Sequence, residues 1–531
     1  MTEGAACRMS LADSGIPRET TDMARRLFPR VTCIVAGLAG CAEIRPDAKV
    51  NEAVDLVEQH TGQRPAWTVP WDEQPPPWTG QETLALDDAL VMALRNNREL
   101  RADLEMIGQA NADLVQAGLL QNPSFNFMLT LPDGGGRTML RSNALPMMPL
   151  QDLWLIPARQ EVATAQLQQA VLRVADRAVG TAASVKKVYA RLQYTQRAIE
   201  LIKENMQVVE QSTQIIQVRH VAGQATQVEL TLSQIRYLRF RSELMTMEAE
   251  HRAAQRELLM LMGFASAPEE WRVAPLHEIR DPLDEAGKLP GESDVVRLAA
   301  EQRLDLKAAA WTAQAAERRI KLMQREGWPD LALAFTFERA PAPRSQNQQL
   351  SGKLGNAAVQ GLADGLAGMS GPTTPMVAPF EPKMREVKYM MGPMIEMEIP
   401  IFDRNQAQVA RALHEYRQRA AEYAAREQEI TRMVRETFVM LRQAQEQVQF
   451  YQREILPAVE RNLTLARQSY VAGREDLTIY LQAQEDLLMT RLRTLGFLRD
   501  CLVYRAELER QVGGRLHGSM LTTQPTESLP R

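Results

Sequence analysis

The stretch VRHVAGQATQVELTLSQ begins at Val218, and RQSYVAGREDLTIYLQAQ begins at Arg467. That likeness is part of a longer one. At an offset of 250, Val221, Ala222, Gly223, Gln234, Leu238, Leu258 and Gly263 fall on Val471, Ala472, Gly473, Gln484, Leu488, Leu508 and Gly513. At an offset of 206, Leu100, Arg101, Ala102, Ala110, Leu114 and Pro123 fall on Leu306, Lys307, Ala308, Ala316, Ile320 and Pro329. The chain is a duplication, so whatever unit it encodes is built twice. The 44-residue change of offset lies between Pro329 and Val471, and the glycine-rich, aperiodic segment 340–389 is the place for most of it.

Each half reads as helix, strand, loop, strand, long helix, turn, helix. In the first half the helical periodicity from Leu84 to Gly118 stops at Asn122-Pro123. Phe125, Phe127, Leu129 and Leu131 then alternate with Ser124, Asn126, Met128 and Thr130. Trp328-Pro329 does the same in the second half, before Leu331, Leu333, Phe335 and Phe337 alternate with Ala332, Ala334, Thr336 and Glu338. The returning strand sets Ile395, Met397, Ile399 and Ile401 against Met394, Glu396, Glu398 and Pro400; its counterpart is expected at Met147 to Ile156, ending in QDLWLIPAR. Large apolar side chains on one face and small or polar ones on the other suit a barrel with lipid outside and water inside, which assigns Glu338, Glu396 and Glu398 to the lumen. Four strands cannot close a barrel, and an open edge in lipid costs several kcal/mol per unpaired backbone group, so copies must join. The pattern does not choose between two copies and three.

Beyond the strands, three-four spacing of apolar residues predicts a rod from Ala158 to His220, roughly sixty residues and roughly 90 Å long. Its counterpart runs from about Gln406 to Tyr470, bent at Pro457. Each rod is followed by a partner helix, and the Val-Ala-Gly triplets sit at the reversals, where Gly223 and Gly473 supply a left-handed cap. The fold class is mainly α, in duplicated helix-strand-strand-helix halves with long coiled-coil-like helices and a membrane β-barrel portion.

Composition agrees with packed rods, since apolar residues make up 45% of the chain and aromatics only 5%. The 62 basic and 66 acidic residues are interspersed, with no basic block to bind nucleic acid. Arg25, Arg26 and Arg30 precede an apolar run from Val31 to Gly40, the pattern of an export signal, with Met23 as the expected start. Its Leu38-Ala39-Gly40-Cys41 ending resembles a bacterial lipobox, which implies cleavage before Cys41 and a lipid on its thiol. Cys501 is then the one thiol left in the mature chain, and its helical apolar setting reads as packing. No later apolar run is long enough for a membrane helix. The division is therefore 1–40 signal region, 41–83 lipidated Pro/Trp-rich segment, 84–263 first repeat, 264–292 linker, 293–514 second repeat with the inserted loop 340–389, and 515–531 disordered tail. Trp67, Trp71 and Trp78 punctuate an extended, Pro-rich stretch expected to tie the protomer to the membrane face or to a neighbour.

The lipobox, the duplication, and the stretches ALRNNRELRADLEMIGQANADLVQAGLLQNPSF, MEIPIFDRNQAQVARA and YVAGREDLTIYLQAQEDLL together resemble the TolC family of outer membrane efflux proteins, from Leu84 to Gly514. The resemblance implies a homotrimer with four strands per protomer in a twelve-stranded barrel that continues as a helical periplasmic tunnel. It implies an outer-membrane channel subunit exporting small toxic solutes, drugs or metal ions, together with a periplasmic adaptor (membrane fusion) protein and an inner-membrane pump of the RND type. By the same resemblance Val221, Ala222, Gly223, Val471, Ala472 and Gly473 meet the adaptor. A periplasmic gate falls near Glu475, Asp476, Ile479, Gln482 and Glu485, although Ile479 and Gln482 stand where some members carry aspartates. Two other readings use similar features: the exit duct of a type I protein secretion system, and an all-helical periplasmic lipoprotein scaffold. The six histidines lack metal-ligand spacing, and DGGGR at Asp133 opens no helix, so no cofactor, metal site or enzymatic constellation is expected. Met376, Met384, Met390, Met391, Met394 and Met397 read as flexible packing, although thioether sulfur also suits soft metal ions.

Overall fold

The computed structural model describes residues 45–67, 78, 83–122, 124, 126–130, 139–264, 271–276, 290–341 and 387–515. Cys41 with its signal, Trp71, the core of the 340–389 loop and the tail from 516 lie outside the described residues. The first half holds α1 (Asp47–Thr61), α2 (Leu86–Asn96), α3 (Arg98–Gly118), β1 (Phe127–Thr130), β2 (Met139–Pro149), α4 (Asp152–Val221) and α5 (Gln227–Leu261). The second holds α6 (Glu292–Gln302), α7 (Leu304–Glu326), β3 (Asp330–Pro341), β4 (Val387–Glu398), α8 (Gln406–Phe450), a π turn (Tyr451–Ile455), α9 (Leu456–Val471) and α10 (Leu477–Val512).

The duplication reaches down to single contacts. Asn97 breaks α2 from α3 in an extended conformation, accepts a hydrogen bond from Leu100 N, and donates from Nδ2 to Leu261 O at 3.0 Å. At the matching break Arg303 donates from Nη1 to Gln511 O at 3.3 Å. Gly263 and Gly513 close these junctions with φ of 80° and 91°. A Cβ on Gly263 would strike the carbonyl of Asn96, and one on Gly513 would press on the backbone of Arg303.

The central rod is α4, whose 70 residues span about 105 Å. It packs against α3, α5, α7 and α10, and small side chains such as Ala165, Ala175, Ala178 and Ala182 let neighbours approach on several sides. The long wall follows the order α5, α4, α10, α9, each rod packing on the next. In the second half Val295, Leu306, Ile430, Val434, Leu441 and Leu508 form a core of their own.

Three expectations need correction. The first returning strand is Met139–Pro149 rather than Met147 to Ile156, because register shifts at Asn143/Leu145 and Leu145/Met148 interrupt its alternation. The rod begins at Asp152, so Leu153 to Ile156 are its first turns, with Pro157 inside the helix. There the buried Asp152 carboxylate accepts from Gln121 N at 2.8 Å and pairs with Arg159, and an anion at a helix N-terminus is favourable. Burial of Leu155 and Ala158 beside Leu322, about 1.5–3 kcal/mol for a leucine, offsets the backbone bond Pro157 cannot make. Finally, Trp67 and Trp78 pack on the chain's own body. Trp67 is buried and donates to Leu94 O at 2.8 Å, while Trp78 meets Phe264 and Trp271 edge-on.

Segment 271–276 is likewise pinned within the expected linker. Val273 bridges to Leu84, and the Tyr189 hydroxyl donates to Leu84 O at 2.8 Å while accepting from Ala274 N at 3.2 Å. In the second rod the π turn ends two residues before Pro457. Proline cannot donate to the carbonyl four residues back, and a wider turn accommodates that loss.

Candidate functional site

Two places carry the function the sequence predicts: the sheet and the paired hairpin tips. The four strands form one antiparallel sheet in the order β1-β2-β3-β4. Strands β3 and β4 pair over their full length, Asp330 opposite Glu398 through Pro341 opposite Val387. This register places Leu331, Leu333, Phe335 and Phe337 on one face with Met391, Ile395 and Met397. The other face holds Asp330, Ala332, Ala334, Thr336 and Glu338 with Met390, Met394, Glu396 and Glu398. The three glutamates singled out in the sequence therefore do share a face, joined by Asp330, and Arg141 of β2 lies opposite Glu338. Like charges directly opposed on a sheet, as Asp330 and Glu398 are, oppose pairing and give the face a negative field.

Among the described residues, nothing covers the apolar face. Ile395 is 71% exposed and Met391 66%. Where strands give way to helices, Leu120, Leu153, Trp328, Ile401 and Phe402 are also exposed, and the Trp154 and Trp328 rings lie 6.1 Å apart. Such a belt of large apolar and aromatic side chains suits a membrane–water boundary. Among the described residues no helix is long and apolar enough to cross a membrane.

At the far ends of the rods the two tips are built alike. Gln224 N donates to Arg219 O at 2.8 Å and Arg474 N to Ser469 O at 2.9 Å, each closing a rod around a left-handed glycine, with φ of 72° at Gly223 and 66° at Gly473. Val221 and Val471 are 80% and 79% exposed, so each tip presents one bare valine beside an exposed alanine and glycine. The tips are joined to one another. Arg219 Nη1 donates to the Tyr470 hydroxyl at 2.6 Å, the Tyr470 and Tyr480 rings stack at 5.9 Å, and Ile216, Leu230, Leu477 and Leu481 form a small core beneath them. The Arg219–Tyr470 tie was not read from the sequence, since its partners lie 251 residues apart, while the tyrosine stack holds the second tip together.

The residues expected at a gate divide. Glu475, Asp476, Ile479 and Gln482 are exposed at the second tip, with Gln482 donating to Asp486 at 3.2 Å. Glu485 instead turns towards the first hairpin, where Arg236 Nε lies 3.0 Å from its carboxylate with both side chains largely buried. Among the described residues no group of three or more His, Cys, Asp or Glu side chains is placed to hold a metal ion. Cys501 is buried, which pushes its thiol up to about 12.

Against known proteins, residues 295–514 match the family model for Outer membrane efflux protein. The cobalt-zinc-cadmium resistance protein CzcC of Cupriavidus metallidurans is 23% identical over 433 residues, covering 81% of this chain and 90% of that protein. Among solved structures, CusC superposes with a TM-score of 0.63 at 17% identity, covering 84% of this chain and 99% of that one. The open state of the MtrE outer membrane channel of Neisseria gonorrhoeae gives 0.60 at 16% identity, covering 82% and 91%. The repeat structure, the sheet and these matches converge: residues 295–514 carry the outer membrane efflux protein domain, and the fold is that of the outer membrane channels on which the chain superposes.

Proposed function

We propose that three copies of this chain form an outer-membrane duct that exports small toxic solutes, metal ions foremost, from the periplasm or an inner-membrane pump of the RND type, reached through a periplasmic adaptor. The observation that carries the reading is the sheet. Among the described residues its apolar face is uncovered, its other face is polar and acidic, and its two edge strands, β1 and β4, each pair on one side only. The wall of rods has matching open sides: α5 on the side of β1, and α8 with α9 on the side of β4. An exposed apolar row on α5, Val228, Leu232, Ile235 and Leu238, supports a neighbouring copy there. An all-helical scaffold is not compatible with this sheet.

Val221 to Gly223 and Val471 to Gly473 are the adaptor contacts in this reading, supported by their equal shape and bare valines. Glu475, Asp476, Ile479 and Gln482 line the periplasmic entrance, while Glu485 serves to tie the hairpins. A lipid on Cys41 anchors the chain. Acids on the polar face, together with the likeness to a cobalt-zinc-cadmium resistance protein, support cations as cargo. The test is a deletion strain complemented with the wild-type chain or with a Val221→Asp/Val471→Asp double variant, scored against metal salts and a drug panel. Wild type restores metal tolerance; the double variant reaches the outer membrane as an intact oligomer and restores none. Full tolerance with the double variant removes the tips from the adaptor contact, and drug-only sensitivity of the deletion removes metal ions as cargo.

A further inference from the structure

A cleft of about 380 Å³ opens between α3, α4 and α10, about 36 Å along the rod from Asp152 and apart from both the sheet and the tips. Six charged side chains line it: Glu99 and Asp103 on α3, Arg173, Asp176 and Arg177 on α4, and Arg510 on α10. Arg177 is engaged, 2.7 Å from Glu99 and 3.5 Å from Asp103. Three of the six are not. Among the described residues the side chains of Arg173, Asp176 and Arg510 make no hydrogen bond and no ion pair within 4 Å, although Asp176 is half-buried.

The rod sets the spacing of these three. A Cβ on Gly180 would lie 3.6 Å from Arg510 Nε, so that guanidinium rests over Gly180. Gly180 is four residues beyond Asp176 on the same face of α4, about 6 Å along the axis, and Arg173 lies three residues the other way, about 4.5 Å. The uncommitted charges therefore run positive, negative, positive along one side of the cleft. A simple carboxylate meets the arginines and leaves Asp176 opposed; a simple cation does the reverse. The complement of all three is an ammonium flanked by two carboxylates.

We propose that this cleft binds acidic α-amino acids, of which glutamate has the fitting length. The ammonium donates to the Asp176 carboxylate, the α-carboxylate accepts from Arg510, and the side-chain carboxylate accepts from Arg173. In an α-amino acid the nitrogen and the carboxylate carbon are about 2.5 Å apart, so with a charged hydrogen bond at each end the pair spans the one helical turn between Asp176 and Gly180. The site stands apart from the sheet and the tips and does not rest on the export reading.

The test is binding itself, read by saturation-transfer NMR on the detergent-solubilised full-length oligomer. Burial pushes the Asp176 carboxyl up to about 6, so the comparison is run at pH 7.5, where it is ionised. Salt is kept at about 20 mM to limit screening. L-glutamate is set against glutarate, which lacks the ammonium, and against norvaline, which lacks the side-chain carboxylate. Glutamate binds at least roughly tenfold more tightly than either. Asp176→Asn reverses the first preference: glutamate weakens about tenfold while glutarate gains, because the opposing carboxylate is gone, and the retained glutarate signal shows that the variant is folded. Arg510→Gln weakens glutamate and glutarate alike. Equal binding of glutamate and glutarate by the wild type, an unchanged preference in Asp176→Asn, or no transfer from glutamate at about 20 mM each overturn the site.

Discussion

The two repeats share a backbone plan and differ in what they place on it. Rod residue 176 is an aspartate, and its equivalent 250 positions on is Arg426. In the second half Arg426 pairs with Asp305 at 2.8 Å in a setting where Asp305 is only 14% exposed. The matching brace in the first half, Arg177 to Glu99 at 2.7 Å, lies in water with both partners more than half exposed. The tips diverge in the same manner: Thr226 and Glu229 form a reciprocal capping box, whereas Asp476 makes no side-chain cap. One unbroken rod faces one interrupted by a π turn. Duplication has preserved the places where the chain reverses and breaks, and released the residues that set how firmly each place is held.

The largest test of that division contrasts glycines with the same backbone sign. Gly263→Ala combines a left-handed strain with a collision against the Asn96 carbonyl and costs about 3–4 kcal/mol in thermal unfolding of the oligomer. Gly223→Ala meets nothing within 4 Å and costs about 1 kcal/mol, with Gly473→Ala alike. Equal losses at Gly263 and Gly223 would break the claim that junctions, not tips, carry the packing.

Asp176 comes next. Burial raises its carboxyl to about 6, aided by the charge of Asp305 and opposed by Arg303, Arg510 and Arg426. Glu99, Asp103, Arg173 and Arg177 also line the cleft it faces. An acid whose folded pKa is raised binds its proton more tightly in the fold, so stability falls as pH rises from about 4 through about 6. Acidification from pH 7.5 to 5 is expected to add about 1–3 kcal/mol from this group. Asp176→Asn removes that part of the pH dependence and is the more stable protein at pH 7.5, as read by parallel denaturant titrations. Asp305 moves the other way: burial opposes ionisation, but Arg303 and Arg426 outweigh it and hold the carboxyl below its ordinary value.

Smaller again is the cap. Thr226→Ala loses about 1 kcal/mol and speeds amide exchange in the first turn of α5, while Asp476→Ala leaves the first turn of α10 nearly unchanged. Smallest is Pro457→Ala, which restores a backbone donor beside the π turn and stabilises α9 by less than about 1 kcal/mol. A π turn that persists unaltered in a structure of that variant assigns its cause to packing around Tyr451 and Phe497 instead, whose rings lie 5.0 Å apart.

What was legible in the sequence was what repeats with a period. The rods, the tips, β3 and β4 announce themselves by three-four or two-residue spacing, and the shared face of Glu338, Glu396 and Glu398 followed from the alternation alone. Strand β2 was hidden because register shifts along its backbone interrupt the two-residue period. Helix α1 was not legible because it is only 15 residues long and has no side-chain N-cap, although Val50, Val54 and Val57 mark its buried side. Glu485 was grouped with Gln482 by nearness along the chain, yet three residues of helical turn carry it towards Arg236. The ties between hairpins join residues 251 and 249 positions apart, and no local pattern encodes such pairs.

The open sides of the protomer are unlike each other: β1 and α5 on one, β4, α8 and α9 on the other. Any joint between copies is therefore head-to-tail, and each added copy recreates the same vacancy it fills. Only the angle between successive copies brings such a chain back to its start. A substitution that alters this angle without weakening the joint is expected to yield open arcs or wider rings rather than monomers.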